Sequence, residues 1–217
     1  MTLPLSIVSD TICPWCYVGK AHLAQALPVL AAEGLVFDIT WHPFQLNPDM
    51  PAEGVDRRTY RTRKFGSWER SQQLDAGVAR AAAAAGLPMR HDLMVRTPNT
   101  VPSHVVMALA LEVGGAPMQD RFADALFAAY FVGGQDVGHA ETLAGLATKA
   151  GLPHEVALAA LSDPACADAV RHDERMAREL RLDGVPSFII DGQLLFSGAE
   201  PPAFMVQALR QAAVALA

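Results

Sequence analysis

Cys13-Pro14-Trp15-Cys16 stands where two residue patterns meet, and this junction limits the possible folds more than any other feature of the chain. Before it, Leu3, Leu5 and Ile7 recur at every second position, the period of a strand. After it, Leu23, Leu27 and Leu30 recur at i, i+4 and i+7, one buried stripe of a helix from about Pro14 to Glu33 that Gly34 ends. Pro14 suits a first helical position, so Cys13 is predicted at the helix N-terminus. Unpaired N–H groups and the positive end of the helix dipole favour a thiolate there. Cys16 lies one turn on, within bridging distance and deeper. The asymmetry predicts Cys13 as the exchanging sulfur and Cys16 as the resolving one. Half a zinc site is the alternative, but tetrahedral zinc wants four ligands and the only further cysteine is Cys166, with no histidine pair beside it. Simple packing of two small thiols is the other alternative, and it gives Pro14 and the preceding strand no reason.

A second strand is predicted at Val36–His42, and strand–helix–strand with short connections implies a parallel pair joined by a right-handed crossover. From about Pro51 to Arg181 helix formers dominate and no strand is predicted. Helices are expected at Ser67–Ala85, Thr100–Val113, Pro117–Phe131, Glu141–Ala150, Pro153–Leu161 and Pro164–Leu182, the last capped by Asp163. Strand character returns at Ser187–Ile190 and Gln193–Phe196, joined by Asp191-Gly192, a hairpin signal, and a final helix is predicted over Pro202–Leu216. The fold class is therefore α/β, β-α-β … β-β-α, with a large all-helical insertion between the second and third strands. Residues 1–48 and 183–217 form one predicted domain and residues 49–182 the insertion.

An antiparallel third strand begins at the edge where the parallel pair ends. Val185-Pro186 is thereby predicted beside the cysteines, with His42 and Phe44 after the second strand and Ser197 and Gly198 after the fourth. As a cis residue, Pro186 would leave a strand edge free to pair with a substrate backbone. The formal charge of −6 argues against a nucleic-acid partner. No apolar run reaches the roughly 18–20 residues that span a bilayer, and no secretory leader is recognisable, so no membrane partner is expected and the setting is read as cytoplasmic. The one basic run, Arg57 to Lys64, is read as a solvated helix face.

These motifs resemble the DsbA-like thioredoxin-fold family, and within it the FrnE-like branch. The carriers are Ser9-Asp10-Thr-Ile-Cys13-Pro14-Trp15-Cys16-Tyr17-Val18-Gly19-Lys20, Trp41-His-Pro-Phe44-Gln-Leu-Asn47-Pro48, Lys64-Phe-Gly66-Ser67, Asn99-Thr100 with His104, Gly184-Val-Pro186 and Ser197-Gly198-Ala199. The resemblance implies a thioredoxin-like domain with its helical insertion over the redox site, a cis bond before Pro186, and disulfide exchange with protein thiols or glutathione. It implies no required cofactor and no metal. Cys13, Cys16 and Pro186 would carry the chemistry. Pro14, Trp15, Val185, Asp10, His42, Phe44, Asn99, His104, Ser197 and Gly198 would contact the substrate.

Two departures matter. Thioredoxins keep a buried acid six residues before the first cysteine, where this chain has Ile7; Asp10 is either a substitute proton relay or a loop cap. Trp15 stands where DsbA has a histidine, which implies a milder oxidant. Related 2-hydroxychromene-2-carboxylate isomerases and kappa-class glutathione transferases replace the first cysteine by serine and carry an Asp-Arg pair after the last strand. Here both cysteines remain and Ser197-Gly198-Ala199-Glu200 lacks that pair. A glutathione-dependent isomerase and a client-binding holdase stay as alternatives. His104 is expected either to face the cleft or to pack within its helix, and Met89, Met94, Met107 and Met118 either to line an apolar substrate surface or to fill the core.

Overall fold

A computed structural model describes residues 2–180, 182 and 184–216. Its centre is β1 (Thr2–Ser9), whose Leu5 and Ile7 are fully buried, as alternation predicts for the middle of a sheet. The chain then forms α1 (Pro14–Ala32) and returns as β2 (Val36–Pro43), parallel to β1 with Leu5 opposite Ile39 and Ile7 opposite Trp41. Near the C-terminus β5 (Ser187–Ile190) pairs antiparallel with β1, and β6 (Gln193–Ser197) pairs antiparallel with β5. The four-stranded order is β2-β1-β5-β6, the predicted topology. The last helix, α8 (Pro202–Ala215), packs on α1. Asp191, with φ of 49°, and Gly192, with φ of 71°, make the expected tight turn of the β5–β6 hairpin.

Among the described residues, the regular structure between β2 and β5 is helical with one exception. β3 (Val55–Asp56) and β4 (Arg96–Thr97) pair as a ribbon of two residues each, too short to show a period in the sequence. Between them lie α2 (Arg57–Phe65), capped by Asp56 through Thr59 N–H at 2.8 Å, and α3 (Trp68–Ala84), capped by Ser67 through Arg70 N–H at 3.0 Å. A long helical span, α4 (Val101–Phe131), is broken at Gly115, whose φ of 66° and ψ of −173° separate the two predicted helices. Its length and composition would suffice to cross a bilayer, but the second arm buries Phe122, Leu126, Phe127 and Phe131 in the core. The remaining helices are α5 (Ala140–Ala150), α6 (His154–Ser162) and α7 (Pro164–Glu179). The last stops short of the predicted Leu182; the predicted domain boundary at Asp183 lies outside the described residues.

Aromatic rings join this helical block to α1. Tyr17 stacks on Phe131 at 5.1 Å and leans on Phe127 at 5.7 Å. The exposed edge of β2 is closed by a side chain rather than a strand. Trp41 N–H donates to Gln119 Oε1 at 2.8 Å, and Gln119 Nε2 donates to Trp41 O at 2.9 Å. At the exit of β2, Arg178 donates to Gln45 O and to Glu174, both at 2.6 Å, and stacks over Phe44 at 4.5 Å. The chain after β2 is thereby pinned to α7.

Candidate active site

Cys13 is the cap of α1, in extended backbone with φ of −79° and ψ of 117°. Its N–H donates to Asp10 O at 3.0 Å, and its own carbonyl accepts from Cys16 N–H at 3.0 Å. The sulfur lies 3.7 Å from Val185 O, the residue before Pro186. Cys16 has no exposed surface, and both thiols are free. Burial, above all, pushes the Cys16 thiol well above its ordinary range. The adjacent Cys13 adds to this, while contacts with Ser9 and the Asp10 backbone oppose it.

The Val185–Pro186 peptide is cis. Around it, Ser187 Oγ donates to Gly184 O at 2.6 Å and shares a 2.6 Å hydrogen bond with Ser197 Oγ. Gly198, in the left-handed region at φ of 97°, donates its N–H to Pro186 O at 2.7 Å. Gly19 of α1 lies directly below: a Cβ there would stand 2.9 Å from Pro186 Cγ and 3.6 Å from the Ala199 backbone. The absent side chain is what lets the loop settle against the helix that carries both cysteines.

Cys13, Pro14, Trp15 and Val185 share one cavity of about 580 Å³. The other predicted substrate contacts lie elsewhere. Ser197 and Gly198 hold the Pro186 loop from behind. Asp10 is fully buried; its carboxylate accepts from Leu46 N–H at 2.7 Å and Ile12 N–H at 3.4 Å, the geometry of a loop cap. Phe44 donates its N–H to Ser9 O at 3.1 Å and lies under Arg178. Asn99 bonds Met50 O at 2.7 Å and caps Val101 N–H at 2.9 Å. His42 and His104 line a separate cavity of about 230 Å³ with Trp41 and Met107. Burial of His42 holds its imidazole below the usual histidine range, with Asp173 opposing. Of the four methionines, Met94 alone borders the larger cavity among its described lining.

Sequence reasoning missed the opposite wall of that cavity. The basic run is not a solvated face: Arg57 is buried and Arg61 half-buried, and both donate to Asp75, at 2.7 and 2.6 Å. Each Arg also lies over an aromatic ring, Arg57 over Trp68 at 5.9 Å and Arg61 over Phe65 at 4.7 Å. Asn47, Tyr60, Lys64 and His91 complete this polar wall. The signal was present in the spacing, since 57, 61 and 64 share one helical face.

A family model described as "DSBA-like thioredoxin domain" matches residues 5–210. The uncharacterized protein YwbO of Bacillus subtilis (strain 168) is 28% identical over 92% of each chain. A probable DsbA oxidoreductase from Streptomyces coelicolor is 36% identical with a TM-score of 0.83, covering 97% of this chain and 89% of its own. The cytosolic disulfide reductase DsbM of Pseudomonas aeruginosa, solved with GSH, shares the fold at 18% identity and a TM-score of 0.65, with 99% of both chains covered. A helix-capping cysteine with a cis-proline loop beside its sulfur, and a buried second cysteine one turn behind, thus sit within a match over nearly the whole chain, which belongs to the DSBA-like thioredoxin domain family.

Proposed function

We propose that the protein exchanges disulfides with thiol partners, protein or glutathione, through Cys13 and Cys16. The observation that carries this reading is the pair itself: two free thiols one helical turn apart, the outer one on a cavity and 3.7 Å from the carbonyl before Pro186. In the oxidising half of the cycle, the Cys13 thiolate attacks one sulfur of a substrate disulfide. A mixed disulfide forms and one substrate thiolate leaves. Cys16, having lost its proton, then attacks Cys13 Sγ, expelling the second thiolate and closing the Cys13–Cys16 disulfide. Two electrons pass from the dithiol to the substrate, and the two leaving thiolates take up the protons. A thiol of the cellular pool reverses both steps. Val185 and Pro186 present backbone to the partner beside the reacting sulfur.

No metal or organic cofactor enters either step. The setting that suits the reading is a reducing compartment such as the cytoplasm. With Trp15 rather than a histidine between the cysteines, the potential is expected near the glutaredoxin range of about −200 to −230 mV rather than DsbA's about −120 mV. Titration against glutathione redox buffers measures it, and a value as oxidising as DsbA's would refute this part of the reading. The whole reading is tested by two variants. Cys13→Ser should abolish glutathione-disulfide and insulin reduction. Cys16→Ser should accumulate a mixed disulfide visible by mass spectrometry. Full disulfide reduction by Cys13→Ser, or isomerase turnover retained in it, would overturn the proposal.

A further inference from the structure

We propose that the cavity beside Cys13 selects small disulfides and thiols that carry carboxylates, held by Lys64 and the Arg57–Arg61 pair of α2. This inference rests on the exchange reading and names its substrate class.

The chain as a whole carries a net charge of −6, yet its described cavity lining holds three fixed cations, Arg57, Arg61 and Lys64, against one carboxylate, Asp75. Asp75 is already engaged by both arginines, through Oδ2 at 2.7 Å and Oδ1 at 2.6 Å. Among the described residues, this wall therefore carries one more guanidinium than it has carboxylates. Arg57 has five N–H donors, and among the described residues only Nη2 has a hydrogen-bond partner. Gln45 Nε2 is the only fully enclosed side-chain polar atom without a partner among the described residues, so the spare Arg57 donors keep some solvent contact at the cavity, where an anion can reach them. Burial chiefly holds the His91 imidazole below its usual range; Asp75 and Asp92 oppose this, while Arg57 and Arg61 add to it.

Lys64 stands three residues beyond Arg61 at the same wall, exposed, and bridges to no carboxylate among the described residues. Its Nζ donates to Asn47 Oδ1 at 2.9 Å and lies 5.3 Å from the Tyr60 ring centre, and among the described residues its ammonium has no other hydrogen-bond partner. Trp15, Phe65, Leu74 and Met94 give apolar walls for a short methylene chain. A volume of about 580 Å³ falls in the range of small-molecule sites, roughly 300–1,000 Å³. The reacting sulfur and the cations border the same space, so one molecule can meet both.

The test uses three disulfides of similar length and different charge: 3,3′-dithiodipropionate (dianion), 2-hydroxyethyl disulfide (neutral) and cystamine (dication). Each kcat/KM is divided by the rate of the same disulfide with free dithiothreitol, which removes intrinsic reactivity. The normalised values should fall in that order, with the dianion about tenfold above the neutral compound, and 0.5 M salt should shrink the preference. Lys64→Gln should cut the dianion-to-neutral ratio about threefold, and Lys64→Glu more. Lys64 is exposed, so neither variant threatens the fold. Equal normalised values for dianion and neutral compound, or a ratio unmoved by Lys64→Glu, would overturn the inference while leaving exchange standing. Failure to turn over any of the three would instead defeat the exchange reading. A binding arm separates the two further. Titration of Cys13→Ser with 3,3′-thiodipropionate, a dianion that cannot exchange, should change Trp fluorescence, and Lys64→Glu in that background should abolish the change. No binding there overturns the subsite whatever the activity.

Discussion

In the proposed exchange, position alone divides the roles of Cys13 and Cys16, two identical side chains. Cys16 has no exposed surface and sits one turn behind Cys13, which is also buried at 3% exposure but borders a cavity, and burial pushes the Cys16 thiol up. Iodoacetamide at pH 7 should therefore modify Cys13 and the half-exposed Cys166 long before Cys16, as read by peptide mass spectrometry. The same shift has a stability sign. A thiol whose folded pKa is raised contributes stability in full below the unfolded value, about 8.5, and loses it as the pH rises further. The reduced protein should therefore lose stability above about pH 8.5 more steeply than Cys16→Ala, and parallel denaturation curves for the two would refute this. Gly19 acts by absence. In Gly19→Ala the new Cβ stands 2.9 Å from Pro186 Cγ, so the loop must shift. We expect a loss of about 1–3 kcal/mol in denaturant melts together with slower exchange.

The elements that set the site were largely readable because each has a local signature. Alternation gave β1 and β2, Asp191-Gly192 gave the hairpin, and Gly114-Gly115 gave the break in α4. Loop ends were placed correctly as well, but not the direction of their side chains. His42, Phe44, Asn99 and His104 follow the expected strands and helix, yet turn toward a second cavity, α7 or their own backbone. α2 was misread because burial was inferred from apolar periodicity. Its inner face is arginine, made tolerable by Asp75 on α3 and by Trp68 and Phe65, partners that no single-helix pattern reveals. Gln119 is a further device of this kind: its amide stands in for a neighbouring strand beside Trp41. Gln119→Leu should leave both backbone groups unpaired and cost about 2–4 kcal/mol, measurable as a lower denaturation midpoint.

For the molecule as a whole, the two cavities share no described lining residue, and each contains a histidine that burial holds below its usual range, His42 in one and His91 in the other. The folded chain prefers both rings neutral. Stability present above the unfolded histidine value, about 6.5, should therefore be lost as pH falls below it. Urea midpoints at pH 7.5 and 5.5 test this: His42→Gln and His91→Gln should each flatten the difference, and an unchanged difference in both would contradict it. The seating of Pro186 on Gly19 has one more consequence. In the proposed exchange, Pro14 and Trp15 tune the sulfur chemistry and Gly19 seats the Pro186 loop; they occupy successive turns of one helix, and the atoms nearest a Cβ at Gly19 would be those of Pro186 and Ala199. The two properties can therefore drift apart over evolutionary time. If the proposed exchange holds, a lineage is free to rewrite the dipeptide, and with it the potential at which the thiols work, while the ledge under Pro186 stays as it is.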